Sequence, residues 1–271
     1  MTVRIEKNDR VWTVIHDRPE ARNAMDPESA DALNQAFLDF DADDGADVAV
    51  LTGAGGYFCA GWDLKYAASL VAANKEENEK NRKNMDFPIG GGAVHAGALG
   101  PTRLELGKPV IGAVEGPAVA GGLELALWCD VRVMAETAFM GVFCRRWGIP
   151  LMDGGSVRLP RAVGRGRALE IAMTGRKVLA EECLQIGLCE KIVPEGHARE
   201  AAEAMAHEIA RFPQMAVRCD RRSIIETYGR DTREAMKIEW MNGLQATAQE
   251  GVFGAERFKG GVGRHGDFEK I

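Results

Sequence analysis

Glu124 sits in the stretch GGLELALWCD, surrounded by Leu123, Leu125, Ala126, Leu127 and Trp128. As a helix this segment is apolar nearly all round and is expected to be buried. A carboxylate held there is costly unless it is paired or used. Burial would raise its pKa, which suits a group that moves protons near neutral pH. The plain alternative is a helix that grazes the surface at that point. A second carboxylate, Asp153, ends the run GVFCRRWGIPLMD ahead of paired glycines. Asp before Gly is ordinary turn chemistry, so at this stage Asp153 is either a turn residue or a reacting group.

Two glycine turns accompany these carboxylates, FCAGWDL (58–64) and AVAGGLEL (118–125). Each follows a buried strand and enters a helix. Such a turn leaves backbone N–H groups unpaired and aims them at a ligand, and two of them converging on one oxygen would form an oxyanion hole. The alternative is that both are packing turns, where glycine lets helix and strand approach closely. Several other chemistries lack their residues. There is no GxxxxGK[ST], no HExxH and no GxSxG. GAGGYFCAG fails as a dinucleotide loop, since Phe58 holds the third glycine's place and no acidic residue follows at the required distance.

The elements that must position these groups alternate. TVRIE and VWTVIH flank KNDR and predict a hairpin. DPESADALNQAFLDF predicts a helix with Asp26 as N-cap, Pro27 in the first turn, and Leu33, Phe37 and Phe40 on one face. DVAVLT (47–52) and PVIGAVEG (109–116) read as buried strands, a helix starts near Asp63, and VRVM is a short strand. Residues 74–100 pass from a charged run to a glycine-rich one and read as a mobile surface excursion; the stretch 66–107 is expected to border the pocket. From 164 onward the pattern is helical: 164–175, 179–187, a helix stopped by Pro213, and two more to about 258. The reading is an α/β core over 1–195 and a helical C-terminal region over 196–271.

Composition narrows the class. The chain has 271 residues, 46% of them hydrophobic, ample for a large core. A net charge of −6 weighs against nucleic acid as a partner. The six cysteines form no CxxC pair and the histidines do not complete zinc spacing, so reduced thiols and no metal site are expected. The N-terminus is charged from its fourth residue and is no signal peptide, and PAVAGGLELALWC is too short to span a bilayer. A soluble cytoplasmic protein is the expectation.

FCAGWDL together with GPAVAGGLELALWCD resembles the enoyl-CoA hydratase/isomerase (crotonase) superfamily. The likeness extends through RPEARNAMD, DVAVLTGAGG, the FxxxxGIPxxxGGSVRLPRAVG region and the helical tail. It implies a crotonase-like spiral of ββα units, C-terminal helices that make a homotrimer or dimer of trimers, and an acyl-CoA thioester substrate. Coenzyme A is then part of the substrate, and no separate cofactor is needed. The resemblance implies that the N–H groups of Trp62 and Gly121 form the oxyanion hole. It places Arg22 and Ala24 on the segment lining the CoA groove. The Ala60–Lys65 stretch (Ala60, Trp62, Asp63, Leu64, Lys65) would border adenine and pantetheine.

Glu124 falls on the first catalytic glutamate of the hydratases. The second is expected at position 144, where this chain has Cys144. Some relatives place an aspartate at position 152, where it has Met152, with Asp153 adjacent. The resemblance turns that segment toward the acyl pocket and makes Asp153 a candidate catalytic or water-orienting group. Cys144 beside Arg145 and Arg146 is either a small apolar filler, the preferred reading, or a thiolate nucleophile. The expected reaction is hydration of a 2-enoyl-CoA. Isomerisation by one carboxylate is the second reading, and a CoA-binding scaffold with little turnover the third.

Overall fold

The computed structural model describes residues 2–72, 86–87 and 96–263. The expected excursion at 74–100 lies largely outside these residues. The described strands are β1 (Val3–Asn8), β2 (Val11–His16), β3 (Val48–Gly53), β4 (Val110–Val114), β5 (Ala118–Val119), β6 (Val131–Ala135), β7 (Phe139–Gly141), β8 (Val178–Leu179) and β9 (Lys191–Val193). They form a six-stranded sheet in the order β1-β2-β3-β4-β6-β9 and a three-stranded sheet β5-β7-β8. Only the β1–β2 hairpin is antiparallel in the larger sheet. A parallel strand covered on both faces reads as a continuous apolar run, as VAVLT and VIGAV do in β3 and β4.

Each central strand steps into a short partner in a second layer. β4 leads to β5 and β6 to β7, while β3 leads to Cys59 and Trp62, which make single parallel bridges to Ala118 and Met25. The main core lies between these layers and their helices, with Phe37, Phe40, Leu51, Leu123 and Met140 buried. α1 (Pro27–Ala42) starts as expected: Asp26 is extended, its carboxylate accepts from the Ser29 N–H at 2.9 Å, and Pro27 takes the first turn. α2 (Leu64–Ala72) follows the first glycine turn, and α3 (Gly121–Trp128) the second.

The remaining helices are α4 (Gly155–Val163), α5 (Arg165–Thr174), α6 (Ala180–Ile186), α7 (Ala198–Ala210), α8 (Gln214–Glu226), α9 (Thr232–Ala246) and α10 (Val252–Lys259). α7 covers the outer face of the large sheet. Its Ala202 and Ala206 pack on Val11, Val48, Val50, Ile111 and Val133, where small side chains allow close approach. α8 is tied to the sheet by Arg218 to Asp47 at 2.7 Å and Arg221 to Asp130 at 2.8 Å. α9 and α10 run on through a π turn at Thr247–Gly251, with right-handed helical backbone at the junctions. Glu250 in that turn accepts from the Met215 and Ala216 N–H groups at 3.0 and 2.8 Å, capping α8 where Pro213 offers no side chain.

At Gly122 the two layers meet closely. A Cβ added there would lie 2.0 Å from the Cys59 carbonyl oxygen, which is backbone and cannot turn aside. Gly122→Ala is therefore expected to cost more than about 3 kcal/mol in urea unfolding. Gly166, with nothing within 4 Å of its would-be Cβ, is the control. Gly166→Ala should be neutral or stabilising by up to about 1 kcal/mol. Equal melting behaviour of the two variants would contradict the close-approach account.

Candidate active site

The two glycine turns meet at one place. Gly61 has φ 89°, and a Cβ on it would stand 2.8 Å from the Gly121 nitrogen. Ala120 has φ 54° and ψ −122°, a backbone region that normally belongs to glycine and costs about 1–3 kcal/mol for other residues. Its N–H bonds to the Gly141 carbonyl at 2.8 Å, which pins the turn. The first turn is held by Met25, whose N–H donates to Gly61 O at 2.7 Å and whose carbonyl accepts from the Asp63 N–H at 2.8 Å. Trp62, between them, spends no N–H on that bridge. Among the described residues neither the Trp62 nor the Gly121 N–H has an acceptor. Both residues line one cavity of about 530 Å³.

Glu124 lies in the wall of the same cavity, one turn into α3, and is only 3% exposed. Its Oε1 accepts from the Asp153 and Gly155 N–H groups at 2.8 and 2.9 Å. Its other oxygen has no partner among the described residues. Burial pushes the carboxyl up to about 7; the two N–H donors oppose this and the charge of Asp153 adds to it. One oxygen is thus fixed and the other is free for a ligand or water. The group changes protonation near neutrality. This helix does not graze the surface.

Asp153 is buried to the same degree and also lines the cavity. It is not a turn residue in the ordinary sense, because α4 has Gly154 as its N-cap and no side-chain cap. Its carboxylate instead accepts from the Thr102 hydroxyl at 3.1 Å and lies 3.7 Å from Arg103 Nε. Burial raises its pKa, while Arg103, Thr102 and the Leu99 N–H act against that. Arg158, from α4, donates to the carbonyls of Asp153 and Thr102 at 3.1 and 2.7 Å. The segment 97–103 and the loop before α4 are one hydrogen-bonded unit.

Of the other expected site residues, Arg22, Ala60 and Leu64 line the cavity with Trp62 and Gly121. Ala24, Asp63 and Lys65 do not. Ala24 is buried beneath its loop and its carbonyl takes Arg18 Nη1 at 2.9 Å. Asp63 is turned away, bonding Arg18 at 2.8 Å and capping α2 through the Lys65 and Tyr66 N–H groups. Lys65 is exposed on α2. Cys144 lines the cavity as a buried thiol whose pKa is raised first by burial and then by the Glu124 charge, which favours the filler reading over the thiolate one. Arg145 and Arg146 bond the carbonyls of Ala172 and Gly175, away from the thiol. Arg103, Leu99, Phe143 and Trp147 also line the cavity. No motif marks Arg103 or Leu99, which reach it only through tertiary folding, while Phe143 and Trp147 lie in the run that ends at Asp153.

The profile of the family described as enoyl-CoA hydratase/isomerase matches residues 6–89 and 98–260. The enoyl-CoA hydratase EchA19 of Mycobacterium tuberculosis is 35% identical over 248 residues, 89% of this chain and 86% of that protein. The carnitinyl-CoA dehydratase of Salmonella typhi is 36% identical over 218 residues, 80% of this chain and 77% of that one. A crystal structure of an enoyl-CoA hydratase from M. tuberculosis H37Rv superposes with a TM-score of 0.83 at 31% identity, covering 96% of each chain. The ββα layering and helical C-terminal region are thus those of the crotonase fold. No helix among the described residues is long and apolar enough to cross a membrane.

The raised pKa of Glu124 has a stability consequence. In the unfolded chain the group loses its proton near 4.5, and in the folded protein near 7. Between those values the folded state holds a proton that the unfolded state has released, so stability falls as pH rises through the window and levels off above it. The full loss is about 3 kcal/mol. Glu124→Gln keeps the oxygen that accepts both N–H groups and removes the ionisation. It should melt higher than wild type at pH 8, with the advantage vanishing toward pH 4.5. Scanning calorimetry across that range tests this, and a pH-independent difference would exclude ionisation of Glu124 as its source.

Proposed function

The chain belongs to the enoyl-CoA hydratase/isomerase family, and within it we propose that it hydrates a 2-enoyl-CoA. The observation that carries the reading is the single wall shared by Glu124 and the two N–H groups of Trp62 and Gly121 that have no acceptor among the described residues. The thioester carbonyl oxygen sits between those two donors, each worth about 2.7–4 kcal/mol in stabilising the enolate. Glu124, anchored through Oε1, uses its other oxygen to take a proton from water as that water attacks Cβ. The proton then returns to Cα, completing addition of H and OH across the double bond. Arg22, Ala60 and Leu64 form the mouth through which the CoA arm enters. The reaction is redox-neutral and needs no cofactor beyond the CoA carried by the substrate.

One observation favours a second reading. Position 144, where the resemblance implies a second glutamate, is Cys144 in the cavity wall, and the Asp153 carboxylate is tied to Thr102, Leu99 and Arg103. A single carboxylate suffices for a 1,3-proton shift, so isomerisation of a 3-enoyl-CoA is the alternative. Assembly as a trimer or dimer of trimers is part of the same proposal. Trp240 is 67% exposed, and Met236, Met241, Ile224 and Tyr228 are exposed near it on α8, α9 and the turn between them, more apolar surface than a lone chain leaves wet. A cytoplasmic location belongs to the same proposal.

Turnover of crotonyl-CoA and of a 3-enoyl-CoA decides between the two reactions. Glu124→Gln should lower turnover of the true substrate by about 10²–10⁴ while thioester binding persists. Asp153→Asn retains the hydroxyl and N–H contacts but loses the charge. A similar loss in that variant assigns Asp153 to proton transfer; activity within a few-fold of wild type removes it from the mechanism and favours isomerisation. Because the base must be ionised, kcat/KM for hydration should rise with pH through about 7. Absence of binding to any acyl-CoA by calorimetry would overturn the whole reading.

A further inference from the structure

We propose that Arg18 and Asp63 are positioning residues that aim the Trp62 N–H at the thioester carbonyl. The proposal rests on the oxyanion reading of Trp62. Asp63 follows Trp62 directly and is buried, with its carboxylate facing away from the cavity. It accepts Arg18 Nη2 at 2.8 Å and the N–H groups of Lys65 and Tyr66 at 2.8 and 3.2 Å. Its own N–H donates to Met25 O. Every polar group of Asp63 that could let residue 62 rotate is thereby tied down.

Arg18 fixes the other side. The same guanidinium reaches Ala24 O at 2.9 Å and Asp26 at 3.4 Å, so it clamps the segment that carries Met25 against the one that carries Trp62. The Arg18 N–H and Asn23 complete the clamp: Asn23 Oδ1 accepts from Arg18 at 2.9 Å, and its Nδ2 donates to Ala54 O and Tyr57 O at 2.8 and 2.7 Å. Arg22 and Asn23 are held at φ 55° and 53°, left-handed backbone that such bonding must sustain. Burial works against ionisation of Asp63, yet the arginine and the two backbone donors keep its pKa below the usual value, so its carboxyl is charged at working pH. A preorganised donor stabilises developing charge without having to move at the moment of reaction, and this ion pair supplies the preorganisation from outside the cavity.

The test uses Asp63→Asn, which keeps an oxygen for the α2 cap and removes the charge, together with Arg18→Met and the double variant. Isotope-edited infrared of bound [1-¹³C]butyryl-CoA, which carries no double bond to hydrate, reads carbonyl polarisation without turnover. Wild type should lower the thioester C=O frequency relative to solution. Each single variant should lose much of that shift, kcat should fall by about tenfold with KM changed less than about threefold, and the double variant should be no worse than either single. A shift retained in Asp63→Asn overturns the positioning role and leaves the oxyanion reading standing. An unshifted carbonyl in wild type overturns the oxyanion reading and the positioning role with it. Should Arg18→Met lose its fold, Asp63→Asn alone decides.

Discussion

The contact on which the site depends is the close approach of two backbone turns. Gly61 lies against Gly121 and Gly122 against the Cys59 carbonyl, at separations no Cβ would permit. Side chains do not make the donor pair; their absence does. Once the turns touch, the remaining geometry follows from ordinary hydrogen bonding. Met25 absorbs both neighbours of Trp62, and Gly141 holds Ala120 in a conformation that alanine does not choose. The strain at Ala120 is sustained because the layers on either side over-determine the turn.

Glu124 shows the same trade at the level of charge. The helix that carries it is apolar because it fills the core between the layers, with Leu123, Leu125 and Ala126 buried. Placing a carboxyl there costs stability once the pH exceeds its unfolded-state pKa, and that same penalty brings its protonation equilibrium to about 7. The N–H groups of Asp153 in the loop and of Gly155 at the start of α4 hold one oxygen and leave the other uncommitted. A third donor would push the pKa down and occupy the reactive oxygen. The partial satisfaction of this carboxylate is what makes it useful.

The sequence made the central strands legible because they are long apolar runs, and α1 because Asp26, Pro27 and the Leu33–Phe37–Phe40 stripe agree with one another. Glu124 stood out for a local reason as well, a lone charge in an apolar helix. The second layer was not visible: β5 and β8 are two residues each and β7 three, too short for any alternation to register. α4 escaped notice because it begins at a glycine without a capping side chain and contains Pro160. Ala24, Asp63 and Lys65 were expected at the CoA groove through resemblance of a whole stretch. In a turn, however, neighbouring residues point in different directions, and of the 60–65 stretch Ala60, Trp62 and Leu64 line the cavity.

Asp153 illustrates what no local reading supplies. Its sequence neighbours are turn formers, and Asp before Gly reads locally as a turn. In the folded protein its partners are Thr102, Arg103 and Leu99, about fifty residues earlier. Gly97 permits this, since a Cβ there would stand 2.0 Å from Asp153 Oδ1. The carboxylate therefore does two things at once. It fastens the segment 97–103 to the loop that donates to Glu124, and its charge raises the Glu124 pKa. Both effects reach the reacting carboxylate, one through the backbone N–H of Asp153 itself and one through space. A residue so connected influences proton transfer whether or not it ever carries the proton, and that is why loss of its charge and loss of its hydrogen bonds must be separated by choosing Asn and not Ala.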